Sequence, residues 1–162
     1  MKSIEKVIRV AGFLAAVSLV VLVLLVAYDA LARYLFSSGS IALQELEWHL
    51  FDVVIMLSIA YTLQMNAHVR VDIFYEHFST KRKAFVNLLA QLIFITPFSF
   101  LVIYVGFEFV TLSFSQMEGS SNPGGLPYRF IVKSLMPLSF ALLFLQSIKD
   151  IMRAVHTIKA IK

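Results

Sequence analysis

The chain has 162 residues, 59% of them hydrophobic and only 15% charged, with a mean hydropathy of +0.82; a soluble domain is about half apolar and about one-quarter charged, so lipid is the expected solvent. The absence of cysteine excludes disulfides, iron–sulfur clusters and thiolate metal sites. The net charge of +4 comes without a basic face interleaved with aromatics, which argues against nucleic acid and for an anionic lipid surface beside the basic segments.

The apolar residues form four blocks, and the length suits one all-α membrane domain over residues 1–162, with spans near 7–29, 46–66, 84–112 and 130–149. The first, Val7 to Tyr28, contains Arg9 as its only charge and is long enough to cross a ~30 Å hydrocarbon core. Lys2 and Lys6 before it and Ala30-Leu31-Ala32 after it resemble a signal peptide, but the apolar stretch exceeds the roughly 7–15 residues of such a segment, so a retained helix is expected. Ser37-Ser38-Gly39-Ser40 breaks the chain before the second block. That block, Leu50 to Met65, is short. It gains length if the helix starts earlier, within Ile41–His49; that lead-in carries Glu45, Glu47 and the only tryptophan, Trp48, and is expected as an interfacial helix at the headgroup level.

The third block runs from Ala84 to about Leu112 and contains Pro97, which predicts a kink. Ser113 to Tyr128 is rich in Ser, Gly, Asn and Pro and reads as an irregular loop outside the hydrocarbon. The fourth block runs from Phe130 to Ile148, with Pro137 in its first half.

Orientation follows from the basic residues. Lys2, Lys6, Arg9, Arg70, Lys81, Arg82, Lys83, Lys149, Arg153, Lys159 and Lys162 make eleven of the fourteen, all on one side of the four spans. The positive-inside rule then predicts both termini and the connector 66–83 in the cytoplasm.

Depth decides whether the chain can move a solute or proton itself, since such work needs ionisable groups near the midplane. Glu108 lies 24 residues past Ala84, roughly 36 Å along a helix and therefore near the outer surface. Asp29 and Arg33 are spaced i,i+4 for a local ion pair at the outer end of the first helix. Asp52 is the deepest carboxylate, roughly 20 Å from Met65, and Lys133 lies at a similar depth from Ile148. The two are expected to pair with each other, unless Asp52 pairs with a partner subunit or Lys133 snorkels outward.

The histidines, His49, His68, His77 and His156, all lie outside the apolar blocks, so no haem or other cofactor is expected. His68-Val69-Arg70-Val71-Asp72 follows the second span as either a structured elbow that docks on a partner or an ordinary basic connector. Pro123, Gly124, Gly125 and Tyr128 shape the outer loop, which either contacts a soluble protein or only turns the chain. No nucleophile–base pair, phosphate loop, metal-ligand spacing or inverted repeat is visible, so neither an enzyme nor the usual secondary carrier design is supported.

Arg33-Tyr34-Leu35-Phe36, Glu45-x-Glu47-Trp48, Ala60-Tyr61-Thr62-Leu63 leading into His68-Val69-Arg70-Val71-Asp72, and the later Leu126-Pro127-Tyr128 and Met136-Pro137-Leu138 together resemble a DctQ-like small membrane subunit. This is the small permease component of tripartite ATP-independent periplasmic (TRAP) transporters, and the resemblance runs from about Arg9 to Arg153. It implies a bacterial inner-membrane protein with a large DctM-like transport subunit and a periplasmic binding protein as partners. It also implies sodium-driven uptake of an organic acid, in which the small subunit is a scaffold. Arg33, Glu45, Trp48, Asp52, His68, Arg70, Asp72 and Lys133 then fall in structural or subunit-interface roles, and Pro123, Gly124, Gly125 and Tyr128 in a loop facing the binding protein. The competing readings are a self-sufficient four-helix exporter, which would need Asp52 as its coupling site, and a membrane anchor of a respiratory enzyme.

Overall fold

A computed structural model describes residues 2–67 and 75–160. Four helices are long and apolar enough to cross a membrane: Ser3–Phe36, Ile41–Gln64, Thr80–Ser115 and Phe130–Ala160. The described residues contain no strand.

The first helix, α1 (Lys2–Phe36), carries a stripe of mostly small residues, Ile8, Ala11, Gly12 and Ala15, at the i, i+3, i+4, i+7 spacing of one face. That stripe meets α2 (Ile41–Gln64), whose Leu57, Ala60, Tyr61 and Leu63 complete the contact. Lipid tails are as apolar as leucine, so helices in a bilayer gain by close approach at small residues more than by hiding large ones. Large side chains accordingly point outward: Phe13 is 67% exposed and Leu24 66%.

Two caps set the limits of α2. The Ser40 hydroxyl accepts the Leu43 N–H (3.4 Å). At the other end Asn66 takes a left-handed φ of 57°, with Asn66 N–H donating to the Leu63 carbonyl and Ala67 N–H to that of Thr62, the double closure of a Schellman motif. The lead-in is therefore continuous with α2, the earlier start that gives this short block its length. Ser40 starts the helix at Ile41, and nothing between Ile41 and Gln64 interrupts it.

The third span joins α3 (Thr80–Ala90) to α4 (Thr96–Ser115) through one π-helical stretch, Gln91–Ile95. Pro97 explains the irregularity, because it brings no N–H and its ring crowds the carbonyl four residues back. The chain widens just before it, and Thr96 N–H reaches five residues back to the Gln91 carbonyl. Pro137 has a similar effect in the last span, which divides at Ser134 into α5 (Phe130–Lys133) and α6 (Leu135–Ala160).

Helices α2 and α6 are central. Helix α1 packs on α2, α2 on α6, and α6 on α3 and α4, while α1 has only a small contact with α6. On α4 the buried residues are Ser99, Gly106 and Ser113, one every seven residues. This seam lets α6 approach, with Met136 and Pro137 against Gly106 and the Ser147 hydroxyl 2.8 Å from that of Thr96.

Candidate functional site at the loop end of the bundle

The loop 116–129 hangs on one carboxylate. Glu45, one turn into α2, is buried although its neighbour Leu46 is not. Its Oε1 accepts from the Ser120 hydroxyl, from Asn122 Nδ2 (3.3 Å) and from Arg129 Nη2 (3.2 Å), and its Oε2 accepts the Leu126 backbone N–H (2.7 Å). Four donors from one loop thus converge on a single anion, and charge-assisted bonds of this kind are roughly twice as strong as neutral ones. The loop adds its own ties, Ser120 N–H to the Leu126 carbonyl (3.0 Å) and Arg129 N–H to the Glu118 carbonyl (2.8 Å).

The Pro-Gly-Gly run has a definite task here. Gly124 has a φ of +81°, a backbone region that side chains disfavour. At Gly125 an added Cβ would lie 2.7 Å from Glu45 Oε2, so only glycine lets the loop close onto the carboxylate. Pro123 is exposed at the tip. Tyr128 is also held at positive φ (61°) and half exposed, its ring 5.9 Å from that of Phe130.

Beside this clamp stands a second ion pair, Lys133 with Glu118. The expected Asp52–Lys133 pair does not form. A second Schellman turn, with Met117 N–H to Phe114 and Glu118 N–H to Ser113, carries Glu118 back over the helix end to Lys133, whose ammonium also lies 4.1 Å from the centroid of the Phe109 ring. Lys133 holds the Glu118 carboxyl below its ordinary value. Asp52 is half-buried and has no ion-pair partner among the described residues.

Arg33 and Asp29 form the expected i,i+4 pair (2.8 Å), with Asp29 fully buried. Trp48 is 69% exposed. An apolar groove of about 340 Å³ opens beside it, lined among others by His49, Val53, Pro127 and Tyr128. His68, Arg70 and Asp72 lie outside the described residues.

At the opposite end, where the termini lie, a cluster absent from the sequence expectations ties α1 to α6. Lys149 is almost wholly buried and its Nζ is 2.7 Å from Glu5 Oε1. Arg153 approaches both Glu5 (3.9 Å) and Asp150 (3.7 Å), and Gln146 Nε2 donates to both Asp150 oxygens (3.1 Å each). Lys149 reads in the sequence as one more basic residue of a flank, and its burial has no local signal.

Residues 22–157 match the family model of the DctQ component of tripartite ATP-independent periplasmic transporters. The chain belongs to the DctQ family. Among curated proteins none gives a significant match. The matched stretch includes the whole Glu45 clamp, the Lys133–Glu118 pair and every motif that carried the resemblance, but leaves Glu5 outside it. As a DctQ member the chain is a small permease subunit of a TRAP transporter and an integral membrane protein.

Proposed function

We propose that this DctQ subunit is a non-catalytic scaffold in the bacterial inner membrane. It stands beside a large DctM-like subunit that carries an organic acid with sodium, and a periplasmic binding protein delivers the acid. One observation supports this most: the ion pairs of the described residues all lie at the two ends of the bundle, Glu45–Arg129, Glu118–Lys133 and Asp29–Arg33 at one, Glu5–Lys149 and Arg153 at the other. Charges fixed in structural pairs hold helices in place and cannot also cycle protons or solutes.

Both termini then face the cytoplasm, as the gathering of Lys6, Arg9, Lys81, Arg82, Lys149 and Lys159 at their end supports. The loop 116–129, stiffened by Glu45, faces the periplasm and presents Pro123 and Tyr128 to the binding protein. Asp52, the one deep carboxylate without a partner among the described residues, is reserved for the large subunit. The same residue is what favours a second reading, an exporter working alone.

Reconstitution separates the two. Vesicles holding this chain alone should show no uptake, and vesicles holding it with the large subunit should take up the acid when binding protein and an inward sodium gradient are supplied. Transport by this chain alone would overturn the scaffold reading. Asp52→Asn should weaken co-purification with the large subunit while leaving the subunit's own thermal unfolding unchanged.

A further inference from the structure

Helix α4 carries two polar stripes, and only one of them is packed. Ser99, Gly106 and Ser113 are buried in the seam described above. At about 100° per residue, Tyr104, Glu108, Thr111 and Ser115 fall on a second stripe, about half a turn round the helix from that seam. All four are exposed. The second stripe therefore points away from the bundle, where a helix that meets only lipid has no use for polar groups.

Glu108 matters most. It lies within the third candidate span, and among the described residues it is the only exposed carboxylate in any of the four. Helix α4 ends at Ser115, seven residues later and roughly 10 Å along the axis, so the carboxylate sits below the level of the loop. Ionisable groups inside spans almost always face the bundle interior or a water-filled cavity, because lipid offers them no partner. Glu108 faces the other way. Thr111 and Ser115 satisfy their hydroxyls on their own helix, at the carbonyls of Phe107 (2.6 Å) and Leu112 (2.8 Å). Glu108 accepts from the neutral Tyr104 hydroxyl one turn back, and it joins no ion pair among the described residues.

A partner that compensates this carboxylate must be cationic and must reach its depth. Phospholipid headgroups lie at the surface, and acyl chains carry no charge. A second copy of this chain, inserted in the same direction and related by a two-fold axis, would set Glu108 against Glu108. Like charges facing each other across such a contact repel. We propose that the Tyr104, Glu108, Thr111 and Ser115 face of α4 docks a transmembrane helix of the large subunit, which places a lysine or arginine opposite Glu108. Tyr104 orients the carboxylate, and the small Thr111 and Ser115 let the second helix approach closely. The existence of this partner rests on the scaffold reading above, whereas the docking face holds for either orientation of the chain in the membrane.

Photo-crosslinking in the intact membrane tests the face. The full chain, with Thr111 replaced by benzoylphenylalanine, is co-expressed with the large subunit and irradiated. Position 111 should join to the large subunit, and sequencing of the adduct should find a lysine or arginine within one turn of the joined residue. Glu108→Gln should lower the large subunit recovered per small subunit about three- to tenfold, the scale of one polar contact between helices in lipid. Glu108→Lys should lower it further, because like charges then meet. Changing the partner's identified cation to glutamate in the Glu108→Lys background should restore recovery. Neither single change should move the thermal unfolding of the subunit alone, since the side chain points away from the bundle.

Adducts with lipid alone, while the large subunit is still recovered, would overturn the proposal by leaving this face in the bilayer. So would a cross-linked pair of copies of this chain, or undiminished recovery with Glu108→Gln. A drop in the subunit's own thermal stability in Glu108→Gln would also overturn it, by giving the carboxylate an internal task. Failure of the parent chain to recover any large subunit would instead defeat the scaffold reading itself, and the docking face with it.

Discussion

Gly12 gives the sharpest test of how the bundle is held. A Cβ added there would lie 2.5 Å from Tyr61 Cγ, 2.6 Å from Cδ2 and 3.0 Å from Cβ. Carbon atoms prefer about 3.5–4.0 Å, so the atoms must part by about 1 Å. They belong to the root of the tyrosine and not to its mobile tip, so α1 and α2 must separate or Tyr61 must leave its rotamer. Overpacking of this kind costs about 1–3 kcal/mol. Alanine in place of a helical glycine returns up to about 1 kcal/mol, so Gly12→Ala should destabilise by about 1–2 kcal/mol. In a Tyr61→Ala background Cγ and Cδ2 are gone and only the Cβ approach at 3.0 Å remains to offset the propensity gain, so the same substitution should fall within about 1 kcal/mol of neutral. Unfolding in mixed micelles titrated with denaturing detergent, run as a double-mutant cycle, measures the coupling. If Gly12→Ala stabilises equally in both backgrounds, close approach at this seam is not what holds α1 to α2.

At the loop end, Glu45→Gln keeps the side chain's shape but loses its charge and turns one acceptor into a donor facing Arg129 or Leu126. The loop 116–129 should become several-fold more sensitive to limited proteolysis, and uptake by the reconstituted transporter should fall even though the subunit still assembles. The Glu118 carboxyl is held below its ordinary value of 4.5, chiefly by Lys133, so its contribution is present above the ordinary carboxylate range and is lost as pH falls below it. Amide exchange at residues 116–120 should accordingly rise only below that range in the parent, and at distinctly higher pH in Lys133→Met; identical pH profiles would refute the pairing. At the termini end, Glu5→Gln leaves the buried Lys149 ammonium without its carboxylate, whereas Lys149→Met removes the charge that needs one. Protease access to the first turns of α1 should increase more in Glu5→Gln than in Lys149→Met.

The four spans were legible because a soluble fold of this size has nowhere to bury four apolar runs long enough to cross a membrane. The Glu45 clamp was only half legible. Glu45 stood out through the Glu45-x-Glu47-Trp48 motif of the lead-in, but its donors lie 75–84 residues away, and no local pattern links them. Lys133 was matched to Asp52 by depth along ideal helices. That arithmetic fails where Ser134 and Pro137 divide the helix and where a turn folds Glu118 back over its neighbour. The Ser99, Gly106 and Ser113 seam was present in the sequence as small residues seven apart, and the apolar blocks around it hid the pattern.

The division of labour between the ends and the middle of the bundle has a physical origin. In lipid, burying leucine gains little, so the hydrophobic effect cannot fix one helix against another. The middle must instead rely on intimate contact, which places Gly12 against Tyr61, Gly106 against Met136 and Pro137, and Ser147 against Thr96. Such contacts are short-ranged and say little about rotation or sliding. Directional groups at the ends supply what they lack, because a carboxylate holding four donors, or a buried ammonium on Glu5, fixes register as well as distance. Helix α1 is the critical case: its packing is almost entirely on α2, and the Glu5–Lys149 pair provides a direct tie to α6. On the scaffold reading proposed above, a subunit that stays still while its partner moves needs that tie at the point where its own packing is thinnest.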